Sequence, residues 1–277
     1  MSELTGQSKR LAPGIVRVTA PNPSPMTGPG TNSYVVGTGP YVVIDPGVDD
    51  SAHLAALESA ASGPIEAIIV THRHPDHVGG AAELAHRTGA PIRAFGYDND
   101  GAYDAPLAVD QPLTEGDSLR LGDITLDALH TPGHAADHLC LYAREPRWLF
   151  AGDTVMADVT VVILPPDGSM TAYLDSLARL QQMSIDIIAP GHGHLLEDPT
   201  ATFAHIVEHR LARETQVRDA LRAAGQADAS RIAGQLYPGL DPRLIGMAAK
   251  QVEAHLIRLA ELGQACRSGT GWSIATA

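Results

Sequence analysis

The chain has 277 residues, a formal net charge of −13, 44% apolar residues and 4% aromatic ones. That length suits one large domain or two smaller ones. No apolar run reaches the ~20 residues of a membrane span, and Met1 to Arg10 lacks the apolar core of a signal peptide, so a cytoplasmic chain without membrane contact is expected. Two cysteines, Cys140 and Cys266, lie far apart and outside any CxxC pair, which disfavours a disulfide framework and a thiolate metal site.

Gly14 to Ala20 alternates apolar and polar residues and reads as a strand. A loop rich in Pro, Gly, Asn and Ser runs from Pro21 to Gly30, and two short strands follow, Ser33 to Val36 and Tyr41 to Asp45. Ser51 to Ala61 has helical spacing, with Leu54 and Leu57 on one face. Ile65 to Val70 is a buried strand running straight into Thr71-His72-Arg73-His74-Pro75-Asp76-His77, with a helix from Val78 to Thr88 after it. Ile92 to Phe95 is a further strand, and Tyr97 to Gln111 is an irregular loop. Ser118 to Leu121, Ile124 to Leu129, His138 to Tyr142 and Trp148 to Ala151 return to β patterning. Met170 to Met183 is an amphipathic helix, and Ile185 to Ala189 is a last strand before Pro190-Gly191-His192-Gly193-His194. Helices then span Thr202 to Ala223, Ala229 to Tyr237 and Pro242 to Leu262. Ser268-Gly269-Thr270-Gly271 is a hairpin turn between two extended pieces. Three helices and a hairpin follow the order of a winged-helix module.

The clusters of possible metal ligands each come directly after a strand. His72, His74, Asp76 and His77 follow Val70, His134 follows the strand ending near Leu129, Asp153 follows Ala151, and His192 follows Ala189. In a layered α/β fold the loops at one end of the strands converge, so distant ligands can meet. Imidazole nitrogen and carboxylate oxygen suit zinc, and also iron or manganese. Alternation puts His72 and His74 on one side of an extended segment. Asp76 and His77, where the chain turns into a helix, point to an adjacent position, and Asp153 is placed to bridge two ions.

Thr71 to His77 resembles the HxHxDH signature of the metallo-β-lactamase superfamily. Asp45-Pro46-Gly47, His130-Thr131-Pro132-Gly133-His134, Ala151-Gly152-Asp153-Thr154 and His192 stand in that superfamily's order. The resemblance implies a four-layer αββα sandwich over residues 1–200, followed by a small winged-helix-like domain over 201–277. It implies two divalent metal ions per chain, zinc first and iron or manganese as alternatives. His72, His74 and His134 would hold the first ion, Asp76, His77 and His192 the second, and Asp153 would bridge them. A hydroxide shared by two such ions attacks a carbonyl carbon or a phosphorus, with Asp76 orienting it and taking part in proton transfer. True β-lactamases of the superfamily lack the bridging carboxylate, so Asp153 argues against an antibiotic-destroying role. The implied substrates are an ester, thioester, lactone or phosphodiester.

Pro21 to Thr27, Gly30-Thr31-Asn32-Ser33-Tyr34 and the helical tail resemble the lactamase-β-like-2 group. Animal members of that group cleave single-stranded RNA. Thr31, Asn32 and Ser33, just before a strand, are candidate substrate contacts or plain turn residues; His194 is a candidate contact beside the last ligand. Tyr173 and Cys140 read as core. From Ala201 on, nine Lys/Arg accompany seven Asp/Glu, leaving 10 basic and 25 acidic residues before it, so the catalytic part repels a polyanion. Arg210, Arg213, Arg258 and the other tail cations, interleaved with acids, read as a solvated helix surface. A small-molecule substrate is therefore expected. RNA cleavage and a non-catalytic regulator that binds nucleic acid are the alternatives, and a homodimer follows by analogy.

Overall fold

The computed structural model describes residues 6–96, 105–157, 159–269 and 271–275. Its contacts divide the chain into two compact units. The first holds 1–131, 137–161 and 182–199; the second holds 132–136, 162–181 and 200–277.

The first unit is built on two sheets. The larger runs in chain order through β1 (Ser8–Ala12), β2 (Ile15–Thr19), β3 (Asn32–Val36), β4 (Tyr41–Ile44), β5 (Ile65–Ile69), β6 (Ile92–Phe95) and β7 (Gln111–Leu113). Pairing is antiparallel as far as β4 and parallel from β4 to β7. The smaller has the order β12-β11-β10-β9-β8, formed by β8 (Ser118–Leu121), β9 (Ile124–His130), β10 (Leu139–Ala143), β11 (Trp148–Gly152) and β12 (Ile187–Pro190). Only β11 and β12 in it are parallel. One apolar core joins the facing sheets, with Tyr34, Ile44 and Ile69 from the first and Leu126, Leu141 and Phe150 from the second; Tyr34 and Phe150 meet edge to face at 5.1 Å. A second core seats α1 (Ser51–Ala60), α2 (Pro75–Val78) and α3 (Ala81–Thr88) on the larger sheet through Leu54, Leu57, Val78 and Leu84.

Several elements differ from the sequence expectation. β1 escapes the pattern because Ser8-Lys9-Arg10 is an exposed polar edge, paired to β2 by backbone bonds alone. Gln111, expected to close a loop, opens β7, an edge strand that tolerates Pro112; residues 97–104 of that loop lie outside the described ones. The expected helix from Val78 is two pieces, since Gly79 and Gly80 pack against the backbone of residues 46–48, where no side chain fits.

The second unit contains α4 (Met170–Leu180), α5 (Pro199–Ala224), α6 (Ala229–Leu236) and α7 (Ile245–Glu261), with a short sheet ordered β13-β15-β14 from β13 (Gln226–Ala227), β14 (Ala265–Ser268) and β15 (Gly271–Ile274). Val217, Ile232, Val252, Leu256 and Trp272 form its core. Pro242–Leu244, expected as the start of the last helix, is a separate 3-10 turn whose first amide donors are met by Asp241. Thr270 of the expected hairpin turn lies outside the described residues; the strands flanking it pair in register, Ser268 opposite Gly271. Among the described residues no helix is long and apolar enough to cross a membrane.

Candidate metal centre

The parallel strands set up the site. β4 and β5 run side by side, so Asp45 and Thr71–His77 leave the larger sheet at the same end, and β11 and β12 deliver Asp153 and His192 in the same way from the smaller sheet. Asp45 ties the first set together. It takes a left-handed φ of 49°. Its Oδ1 accepts from Thr71 N at 2.7 Å, and its Oδ2 accepts from Thr71 Oγ1 at 2.8 Å and lies 2.9 Å from His77 Nδ1. Because a carboxylate only accepts, His77 keeps a proton on Nδ1, so Nε2 is the atom turned inward that can give up its proton to a cation.

Four donor atoms converge there. His77 Nε2 is 3.6 Å from Asp76 Oδ2 and 3.4 Å from Asp153 Oδ1; His192 Nε2 is 3.2 Å from Asp76 Oδ2 and 3.4 Å from Asp153 Oδ1. A tetrahedral zinc ion with bonds of about 2.0–2.2 Å needs ligand atoms roughly 3.3–3.6 Å apart, so the donor set has the size of such a site. His77 Nε2 is buried with no hydrogen-bond partner, the position in which a cation would satisfy it. His192 Nδ1 faces Gly30 O at 3.4 Å, which directs its Nε2 to the same point.

Next to this set, Thr71 Oγ1, already donating to Asp45, accepts from His72 Nδ1 at 3.0 Å. His72 Nε2 and His74 Nδ1 converge at 2.9 Å. Ligand atoms of His72, His77 and Asp153 lie within 4.8 Å of one another, as do those of Asp76, His77 and His192. Asp153 thus lies beside both groups.

Charge inside the cluster is mutually sustained. Burial opposes ionisation of Asp76, but His77 and His192 overrule it and hold the carboxyl at about 2. Asp153, against a larger burial cost, is driven well below the usual carboxylate range by His192 and His77. Burial likewise opposes protonation of the imidazoles, yet Asp76, Asp45 and Asp153 push His77 well above its ordinary value, and Asp153 and Asp76 raise His192 to about 9.

The remaining expected residues have varied surroundings. Thr31 Oγ1 donates to Asp76 Oδ2 at 3.4 Å and Thr31 pairs with His192 as an isolated bridge, so it borders the cluster. Asn32 is buried and spends its amide on Pro190 O and Gly193 O, holding the loop that carries His192. Ser33 is buried against His53 at 3.0 Å. His194 is exposed. His134 belongs to the second unit, where its Nδ1 lies 2.7 Å from Val162 O, fixing the lone pair on Nε2. Tyr173 and Cys140 are buried, as their patterns suggest. Arg210, read as surface, is buried instead at 4% exposure, stacked on Tyr173.

Three supporting roles were not legible in the motifs. Asp45 appears in a recognisable triplet, but its double role on Thr71 and His77 depends on strand adjacency. His138 accepts from Asp153 N at 3.0 Å and meets Thr131 and Thr154 hydroxyls through Nδ1, which steers the Asp153 turn. Gly191 is needed for space: a Cβ there would sit 2.6 Å from Asp153 Oδ1 and 2.9 Å from His77 Cε1.

Comparison with known proteins agrees with this geometry. Residues 26–192 match the metallo-beta-lactamase superfamily model, and residues 229–272 match the beta-lactamase associated winged helix domain. A beta-lactamase-like protein 2 homolog of Drosophila melanogaster is 31% identical over 92% of this chain and 90% of its own length. An atrochrysone carboxyl ACP thioesterase of Aspergillus chevalieri is 33% identical over 80% of this chain and 70% of its own. A solved structure, TTHA1623 in a di-iron-bound form, is 31% identical, with a TM-score of 0.55 over 70% of this chain and 96% of that one. The chain is therefore a hydrolase of the metallo-β-lactamase superfamily, an αββα sandwich followed by the winged-helix domain associated with that family.

Proposed function

We propose that this protein is a dinuclear metal hydrolase of acyl thioesters, within the wider class of ester, lactone and phosphodiester hydrolases. The observation that carries the reading is the convergence of Asp76, His77, Asp153 and His192 on one point at zinc-ligand spacing. His72 and His74, with His134 assigned by the family motif, would hold one ion, and Asp76, His77 and His192 would hold the other, with Asp153 beside both groups. The di-iron form of TTHA1623 supports a two-ion count, and the name of the Aspergillus chevalieri relative supports a thioester. Zinc fits the donor atoms, as do iron and manganese.

Bound divalent ions supply Lewis acidity, which makes water a nucleophile near neutral pH and stabilises negative charge on a carbonyl oxygen. The chain's own groups do the rest. Asp45 and His138 lock the orientation of His77 and the Asp153 turn. Asp76, with its side chain 29% exposed against 10% for Asp153, reaches the open side of the cluster. There it orients the attacking water and accepts its proton. Thr31 Oγ1 holds the Asp76 carboxylate in that pose.

The test is elemental analysis of the purified chain, with the same sample assayed on a thioester, a lactone, a phosphodiester and a labelled single-stranded RNA. Two ions per chain and chelator-sensitive thioester cleavage are expected. RNA cleavage with an intact thioester would move the assignment to a nuclease. Absence of metal after reconstitution would overturn the site itself.

A further inference from the structure

Strand alternation places Arg17 where a core residue is expected. Along β2 it shares a face with Ile15, which lies in the apolar core between the two sheets, and with buried Thr19. Its partner on β3 is Tyr34, a residue of the same core. Arg17 is only 5% exposed, and among the described residues no carboxylate pairs with it. Arginine is almost never buried this far without a counter-charge. Its Nη1 donates to Gly193 O at 3.2 Å.

A buried charge without a counterion costs stability, and apolar side chains of similar volume commonly replace buried charges without loss. Packing alone therefore gives no reason for a guanidinium at position 17. What it supplies is a charged donor on one backbone carbonyl of the turn that presents His192.

That turn is held by its carbonyls. Pro190 O accepts from Tyr34 Oη at 2.8 Å and from Asn32 Nδ2 at 3.1 Å. Gly191 O accepts from Asn32 N at 2.7 Å. Gly193 O accepts from Asn32 Nδ2 at 2.9 Å and from Arg17. Thr19 Oγ1 donates to Asn32 Oδ1 at 3.2 Å, which leaves the Asn32 amide nitrogen facing both carbonyls. The chain is thus gripped before and after His192 from β2 and β3. Such a grip matters here because Gly191 and Gly193 flank His192 directly, and Gly193 takes a left-handed φ of 88°. Glycine is the residue least restrained by its own backbone, so the direction of the imidazole between the two depends on outside contacts. His72 and His77 are oriented by Thr71 and Asp45 instead.

We propose that Arg17 is a positioning residue for His192. With Asn32 and Tyr34 it fixes the Pro190–Gly193 turn, and so governs the affinity of the ion at Asp76, His77 and His192 while the ion at His72 and His74 keeps its own supports. The assignment of one ion to each group rests on the dinuclear reading.

Cobalt(II) titrated into the metal-free full chain, followed by its visible absorption, tests this, and His192→Ala identifies the ion that depends on His192. Arg17→Met, similar in length but uncharged, is expected to bind that ion about tenfold or more weakly. It is expected to bind the other ion as the wild type does and, metal-free, to melt no lower than the wild type. Arg17→Lys, which keeps the charge and a donor, is expected to recover part of the loss. Tyr34→Phe, which lacks only the hydroxyl on Pro190 O, is expected to weaken the same ion by a smaller factor. Wild-type affinity for both ions in Arg17→Met overturns the proposal. So does equal weakening of both ions together with a lower melting temperature, the mark of a residue that merely supports the fold. If Arg17→Met fails to fold, Tyr34→Phe decides by the same two criteria. A wild-type chain that takes up fewer than two ions overturns the dinuclear reading and the proposal with it, whereas a two-ion wild type with unaffected variants overturns the positioning role alone.

Discussion

In the first unit two aspartates and two histidines bring four donor atoms to within 3.2–3.6 Å along their contacts, whereas in the second unit one buried carboxylate, Glu214, faces Arg258 at 3.4 Å and His255 at 3.8 Å. The first cluster has a surplus of lone pairs, whereas in the second the carboxylate already faces cations. Buried polar groups are normally satisfied, so the surplus in the first cluster calls for a cation. The chain's negative charge is concentrated before residue 201, in the part that carries the first cluster.

The comparison breaks most completely if the first cluster is not a cation site. Asp76→Ala and His192→Ala are each expected to lose turnover to background and to hold one ion or fewer, with unchanged circular dichroism. Near-normal turnover in metal-replete Asp76→Ala would remove the mechanism. Gly191→Ala tests the same site by space alone. Its new methyl would lie 2.6 Å from Asp153 Oδ1 and 3.0 Å from Gly152 O. Metal loss comparable to removal of a ligand is expected by elemental analysis; full metal content would mean that the loop yields at little cost.

A smaller effect is expected from Asp45→Asn. The amide keeps the shape but lacks the charge and one acceptor, so it cannot serve Thr71 N, Thr71 Oγ1 and His77 Nδ1 together. Groups that orient ligands in this way typically contribute about 10–100-fold to metal affinity, which competition with a chelating dye would measure. The pH dependence has a definite sign. Without metal, His192 is protonated up to about 9, since Asp153 and Asp76 outweigh the burial that opposes its charge. A metal ligand must be neutral, so ion uptake at pH 7.5 displaces that proton. Affinity is expected to rise with pH up to about 9, the value for His192. Titration calorimetry in buffers of different ionisation enthalpy should register the proton release; buffer-independent heats would contradict it.

The sheets and the ligand motifs were legible because both rest on local pattern. Apolar runs such as Ile65–Ile69 end where the ligands begin, and His72-x-His74 needs only strand alternation to face one way. What sequence pattern misses is set by partners far along the chain. Ser8–Ala12 carries no apolar alternation and becomes a strand because β2 offers it backbone bonds and the core takes Leu11 and Ala12 at its end. Asn32 and Ser33, open between substrate contact and turn chemistry, are fixed by Pro190, Gly193 and His53. Arg210 looks like any helix-surface cation among interleaved acids, and its burial follows from the Tyr173 ring of a different helix.

The smallest expected effect asks whether the two clusters stand on separately stable supports. Asp228 caps α6, accepting from Arg231 N at 2.8 Å with a φ of −83° and ψ of 168°. Removing such a cap typically costs about 1 kcal/mol, and Asp228 is exposed, so water replaces part of the lost bond. Asp228→Ala should therefore lower the denaturation midpoint slightly through the second unit, whose core includes Ile232 and Ala233 of that helix. No ligand of the first cluster lies on α6, so metal content should stay at the wild-type level. A fall in metal content accompanying this mild destabilisation would show that the cation site depends on the order of the winged-helix unit, and the contrast between two independently built clusters would give way to a single coupled one.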